Sequence, residues 1–220
     1  QAPKLVTRTS KTDKPVDPEF VDLREKWLNN LLGGTLDTGN QAVVTYITGL
    51  DEKAGEYWSS MIKSDDASRT NLWSDLDMSY IAGTGAKAKV HSGNVAQTFY
   101  RLKDMAIAWA TEGCALYQND ELKEELIRAL DFMNENHYSS SDDKTPFFGN
   151  WWHWEIGGPI AFMDTALILY DDLTLKQITN YAAAVNRFTN VCDKPSGYPG
   201  SPAMTVAKLI EKGMVVAQAG

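Results

Sequence analysis

Residues 94–111 read Asn94-Val95-Ala96-Gln97-Thr98-Phe99-Tyr100-Arg101-Leu102-Lys103-Asp104-Met105-Ala106-Ile107-Ala108-Trp109-Ala110-Thr111. Val95, Phe99, Leu102, Met105, Ala106 and Trp109 recur at intervals of three and four, the period of one helix face. Gly113 supplies the stop signal. The same period continues on either side. Asp17-Pro18 starts a helix through Phe20, Leu23, Trp27, Leu28 and Leu31, which Gly33-Gly34 ends. A second runs from about Gln41 to Ile62, with Gly49 and Gly55 as candidate breaks. Asn119 or Asp120 caps a fourth, which carries Leu122, Leu126, Ala129, Leu130 and Met133 on one face and Glu121, Lys123, Glu124, Glu125 and Arg128 on the other.

The polar run Ser139 to Lys144 is read as a loop, and Pro159 as the opening of a fifth helix through Phe162, Ala166, Leu167 and Tyr170. Thr174 caps a sixth through Ile178, Tyr181, Ala182, Val185 and Phe188. Cys192 to Pro202, rich in Pro, Gly and Ser, is read as a loop before a last helix from about Pro202 to Val216. Strand signals are nearly absent, so the fold class is all-α. Helix pairs of roughly 40 to 50 residues, joined by alternating short and long loops, resemble an α/α toroid or a solenoid of helical hairpins. Residues 1–17 are expected to be an extended N-terminal segment and 18–220 one helical domain.

With 220 residues and 43% hydrophobic side chains, the chain has the material for one sizeable core. No apolar run approaches the ~18 residues of a membrane span, so no membrane partner is expected. The net charge of −8 argues against nucleic acid, which needs a surplus of Lys and Arg on one face. One local basic patch could suit an acidic sugar: Lys87, Lys89 and His91 in the Gly-rich stretch Gly83 to Gly93, with Arg101 beyond; a solvated loop is the other reading. Cys114 and Cys192 have no metal-ligand spacing and are read as buried thiols or one disulfide. The start at Gln1, followed by a polar Lys-rich stretch, looks like a processed terminus, and the protein is expected to be secreted.

The chemistry concentrates in Asn150-Trp151-Trp152-His153-Trp154-Glu155-Ile156-Gly157-Gly158-Pro159, where three of the seven tryptophans occupy four positions. Neighbouring side chains diverge on a helix or a strand, so three such rings cannot all enter one core. At least one should face a cleft or solvent; the alternative is two core rings with the third capping a helix end. Flat apolar faces beside amide, imidazole and carboxylate groups suit sugar rings, which stack on indole and hydrogen-bond through their hydroxyls. Trp151 and Trp152 are the leading candidates for substrate binding. Asn150 and His153 are candidate partners of sugar hydroxyls, although Asn150 could equally cap the turn, and Trp154 could equally be core. His153 and Glu155 are too close in sequence to share a helix face, so no metal is expected. Asp164, Asp171 and Asp172 have two readings, the paired carboxylates of a glycoside hydrolase, or a cap for the next helix with a solvated face, the second being also the reading of Asp131, Asp142 and Asp143.

The tryptophan block resembles the Asn-Trp-Trp-x-[Trp/Tyr]-Glu-Ile-Gly signature of polysaccharide lyase family eight, the hyaluronate, chondroitin AC and xanthan lyases. His153 at the variable position is most similar to the xanthan lyases. Tyr100-Arg101-Leu102 with Met105-Ala106, Leu122-Lys123-Glu124 through Ala129-Leu130-Asp131, and Leu167-Ile168-Leu169-Tyr170-Asp171-Asp172 resemble the helices around that signature, so that the likeness covers most of residues 18–190. The resemblance implies an incomplete α/α toroid, the N-terminal part of a longer catalytic domain. It implies β-elimination on a uronic-acid-containing polysaccharide, with no cofactor, and a monomer acting on an acidic chain. In the family an Asn neutralises the uronate carboxylate, a His takes the C5 proton, a Tyr protonates the leaving oxygen and an Arg supports them. The family's Asn closes a short Gly-rich motif, and at that position this chain has Thr205-Val206-Ala207-Lys208. Lys208 is therefore the candidate catalytic residue, able to neutralise a carboxylate by charge but without the amide's geometry. His91, His137 and His153 all precede this motif and do not correspond to the family's base, so the His and Tyr segment is expected beyond Gly220. Three readings stay open: a lyase, a sugar-binding relative that does not cut, and an inverting glycoside hydrolase.

Overall fold

The computed structural model describes Lys14, residues 18–141 and residues 145–189. Among these residues the regular structure is helical throughout: α1 (Pro18–Leu32), α2 (Gln41–Ser60), α3 (Ala86–Ala110), α4 (Asp120–Asn136), a π turn (His153–Gly157), α5 (Gly158–Ile168) and α6 (Leu175–Thr189). The ends follow local chemistry. Asn40 caps α2 by accepting from Ala42 N at 2.9 Å, and Asn119 caps α4 by accepting from Leu122 N at 2.8 Å. Thr174 and Gln177 form a reciprocal capping box at α6: Gln177 N donates to the Thr174 hydroxyl while the Gln177 side chain accepts from Thr174 N. Gly33 and Gly34, at φ 77° and 63°, terminate α1 in the left-handed region.

α3 is the central element, packed against α2, α4, α5 and the π turn. It starts at Ala86, eight residues before the expected Asn94. The stretch Gly83 to Gly93 is thus not a basic loop but the entry and first turns of a helix. Its cations also do not form one patch. His91 is buried, its Nδ1 3.0 Å from the Ser79 carbonyl, and Arg101 forks onto Asp75 at 2.9 and 2.5 Å. Only Lys87 and Lys89 stay exposed on the first turns. α2 likewise runs unbroken through Gly49 and Gly55.

The segment between α2 and α3 has no helical period, yet Leu72, Trp73, Leu76 and Met78 are buried, and Trp73 Nε1 donates to the Tyr57 carbonyl at 3.0 Å. Arg69 pairs with Glu125 of α4 at 2.9 Å, both side chains less than a tenth exposed, and the guanidinium lies over the Phe132 ring. The interior between α3, α5 and α6 is aromatic. Phe99 stacks on Phe162 at 4.8 Å and Tyr138 on Phe188 at 4.3 Å. Arg187 of α6 donates to Ser139 O and Thr145 O, tying these two residues to α6.

Of the expected N-terminal segment, Lys14 is described: it is buried, donates to the Tyr170 carbonyl and lies over the Tyr170 ring. α1 has no buried residue; Phe20 and Leu23 are exposed, and Trp27 holds the helix to α5 through a 3.0 Å bond to Asp164. Cys114 is a free, buried thiol, and burial, with the nearby Asp51 carboxylate, pushes its pKa up to about 11. Cys192 lies outside the described residues. At neutral pH, iodoacetamide is expected to leave position 114 unmodified in the folded chain and to label it after unfolding, as read by peptide mass mapping. Labelling of the native chain at the rate of a free cysteine would contradict the buried setting.

Candidate carbohydrate-binding site

The tryptophan block is helical from Trp151 onward, so Pro159 does not open the helix but lies inside it. A proline within a helix lacks the N–H and crowds the carbonyl four residues before it. The π turn just upstream relieves that conflict: Gly158 N donates to the His153 carbonyl, five residues back. Trp151 and Trp154, three apart, share the inward face and are buried, with Trp154 1% exposed. Trp154 is core. Its Nε1 donates to the Phe148 carbonyl at 2.7 Å, the Tyr138 hydroxyl donates to the Trp154 carbonyl at 2.7 Å, and its ring stacks on Phe188. Burial, reinforced by the Glu155 carboxylate, keeps Tyr138 protonated despite the opposing Arg187.

Trp152 and His153 diverge to the surface and are half-buried. Trp152 lies along Gly157, where a Cβ would overlap the indole and the Tyr100 hydroxyl. The His153 ring meets it edge-on, centroids 5.9 Å apart at 80°, and rests on Gly93, where a Cβ would come within 3.3 Å of its Cε1. Burial holds the His153 pKa below 6.5, so the ring is neutral at pH 7. Asn150 does cap the turn: its Oδ1 accepts from Trp152 N at 3.2 Å.

Ser92 of α3 joins the block from 58 residues away, and no sequence signal marked it. Its hydroxyl accepts from Asn150 N at 3.0 Å and lies 3.0 Å from His153 Nδ1. Gly149 makes this approach possible. It sits at φ 72°, a Cβ there would overlap Ser92 Oγ and the Ala88 carbonyl, and its N–H donates to Gly83 O at 2.8 Å. The outcome is a short rim on which the Trp152 indole, the Asn150 amide and the His153 imidazole lie together, with exposed Lys87 and Lys89 flanking Ala88 just below Gly149. Trp151 is set inward of this rim.

The other carboxylates are dispersed. Asp164 is buried, accepting from Trp27 and 3.6 Å from Lys103; Asp172 lies 3.4 Å from Lys123, and Asp131 accepts from Gln177 and Tyr181. Thr174, not the Asp171-Asp172 pair, caps α6. These separate partners give no acid and base facing one sugar, so the paired-carboxylate reading of Asp164 with Asp171 and Asp172 has no geometric support. Among the described residues no group of three or more His, Cys, Asp or Glu could hold a metal ion, and no helix is long and apolar enough to cross a membrane. Lys208, Asp142 and Asp143 and the expected last helix lie outside the described residues.

Residues 27–205 match the family model for the polysaccharide lyase family 8 N-terminal alpha-helical domain. Xanthan lyase of Bacillus sp. (strain GL1) is 36% identical over 172 residues, covering 78% of this chain and 17% of that protein. Hyaluronate lyase HylB of Enterococcus faecalis is 31% identical over 185 residues, covering 81% of this chain and 17% of that protein. The chain thus spans about one sixth of the length of these curated relatives. Among solved structures, Paenibacillus xanthan lyase superposes with a TM-score of 0.75 at 33% identity over 94% of this chain and 18% of that one. Streptomyces coelicolor A3 chondroitin AC lyase in complex with chondroitin sulphate gives 0.73 at 25% identity, over 93% of this chain and 25% of that one. The helical hairpins described above are therefore an arc of an α/α toroid, and the chain belongs to polysaccharide lyase family 8, whose N-terminal α-helical domain it carries.

Proposed function

We propose that the protein to which these residues belong is a polysaccharide lyase that cleaves a uronic-acid-containing polysaccharide by β-elimination, and that this chain supplies the seat for the sugar chain. The observation that carries the reading is the half-buried Trp152 indole flanked by the Asn150 amide and the neutral His153 imidazole, in a chain of this family. A flat apolar face takes the C–H side of a pyranose, and the flanking polar groups take its hydroxyls. Trp151, set inward, backs the platform. Lys87 and Lys89 offer local positive charge to an acidic chain despite the net charge of −8. The relatives named above act, by their names, on xanthan and hyaluronate. The acidic polysaccharide proposed here is of that class, and a substrate of such size fits a secreted protein.

The C5 proton of a uronate is removed only when its carboxylate charge is neutralised. Lys208 stands where the family's motif has Asn, and we assign it that electrostatic role. Lys208→Ala, assayed by the ultraviolet absorbance of the new double bond in a form of the protein that turns over, tests the assignment; unchanged activity in the variant would remove it.

The platform is tested by titrating intrinsic tryptophan fluorescence with xanthan, hyaluronan and chondroitin oligosaccharides. Trp152→Ala is expected to weaken binding by about 30-fold, the ~2 kcal/mol typical of a central aromatic anchor. Affinity in Trp152→Ala equal to that of the unaltered chain would mean that the sugar sits elsewhere.

A further inference from the structure

Ser92 is fully buried in the second turn of α3, and its hydroxyl has three neighbours. The Asn150 N–H, at 3.0 Å, can only donate to it. The Lys89 carbonyl, at 3.1 Å, can only accept from it. His153 Nδ1, at 3.0 Å, can do either. A hydroxyl carries one hydrogen and two lone pairs. With the hydrogen directed to Lys89 and one lone pair taken by Asn150, the remaining lone pair can only receive a proton from His153 Nδ1. No other distribution of hydrogens satisfies all three contacts.

A neutral imidazole protonated at Nδ1 has its free lone pair at Nε2. Burial of the ring keeps it neutral at pH 7. Nε2 meets no hydrogen-bonding partner among the described residues, and neither does the Asn150 amide nitrogen, whose companion oxygen is used in the cap. The rim therefore offers one acceptor, His153 Nε2, beside a donor, the Asn150 amide, at the edge of the Trp152 indole.

We propose that Ser92 is a positioning residue for carbohydrate recognition, holding His153 in the Nδ1–H form so that Nε2 accepts a hydrogen bond from a hydroxyl of the sugar ring seated on Trp152. The proposal rests on the Trp152 platform put forward above, but its first half is a property of the unliganded chain. Ser92 thereby acts on specificity through a ring it orients, because a sugar position bearing only an acceptor, such as a sulphate ester or a ring oxygen, cannot satisfy Nε2.

Long-range proton–nitrogen correlation spectra of the histidine side chains read the tautomer directly. In the unaltered chain His153 is expected to show a protonated Nδ1 and a pyridine-like Nε2, and Ser92→Ala is expected to move it toward the Nε2–H form. Titration with the same three oligosaccharides supplies the second arm. His153→Leu, which leaves Ser92 in place, is expected to lose about five- to tenfold in affinity, while His153→Gln, with an acceptor at similar reach, keeps most of it. Ser92→Ala is expected to match His153→Leu and to add nothing in the double variant, as for two residues acting through one contact. A proton on Nε2 in the unaltered chain would overturn the proposal. So would undiminished binding in His153→Leu alongside a loss in Trp152→Ala. Undiminished binding in Trp152→Ala would instead remove the platform, whatever the tautomer.

Discussion

Gly149→Ala is expected to destabilise the chain by about 3–5 kcal/mol and to lower its affinity for sugar. Two costs add. The left-handed backbone at φ 72° costs a side-chain-bearing residue about 1–2 kcal/mol. The new Cβ also meets Ser92 Oγ and the Ala88 carbonyl, and the latter is backbone of a helix packed on three sides. Segment 148–150 would have to lift away, taking the Asn150 N–H off Ser92 and unseating Trp152. Gly83 is the internal control. It has a φ of 84° and open space around a would-be Cβ, so Gly83→Ala carries the backbone cost alone. Denaturant unfolding of both variants separates the two contributions, and a Gly149→Ala no worse than Gly83→Ala would refute the close seating of the tryptophan block on α3.

The second large effect is expected at the far side of the core. Removing Arg69 leaves Glu125, 5% exposed at its side chain, with Ser64 donating to it at 2.6 Å but without its buried cation. Arg128, at 3.7 Å and half exposed, compensates poorly. Breaking a buried pair in this way costs about 3–5 kcal/mol. At roughly 2–4 °C per kcal/mol for a domain of this size, Arg69→Met should lower Tm by about 10 °C. Replacing both partners, with Arg69→Met and Glu125→Leu together, is expected to recover most of the loss, because no uncompensated charge is then left inside. The surface pair Lys26–Asp22, with both side chains more than half exposed, should yield less than about 1 kcal/mol on disruption. A Tm change for Arg69→Met as small as for that surface pair would show that water reaches Glu125.

Much of the fold was legible because local chemistry and global packing agree. The apolar period of α3 and α4, the Asn119 cap and the Thr174 cap all act within four residues, the range over which sequence patterns are informative. Misreadings occurred where tertiary contact overrides propensity. Gly93 argued for a loop, yet it lies within α3 because a bare backbone is what lets His153 rest there. Leu72, Trp73, Leu76 and Met78 carry no helical period, and long-range contacts such as those of Trp73 with Tyr57 of α2 and Arg101 of α3 accompany their burial in the core. Trp152, Asn150 and His153, which the structure brings onto one rim, stand out in the sequence as candidates because of the residue types in one short block. Trp151 proved to face inward, and Trp154 to be core, because the phase of the helix could not be known before the π turn was seen. Ser92 was out of reach for a simpler reason: a lone serine in a helix has no pattern, and its importance arises from a contact 58 residues away.

The π turn at His153–Gly157 constrains how many residues this segment holds, as well as which ones. A ring closed five residues back accommodates one residue more than an α turn, which offsets the helix on its two sides by about 100°. α5 beyond it is buried on nearly every face between Gly158 and Ile168, so the offset sets which neighbour each of its side chains meets. Deleting one residue there would remove the bulge and rotate every α5 side chain by about 100° onto the wrong neighbours. The block therefore tolerates changes of side chain far better than changes of length, and gaps in alignments of related chains should fall outside it.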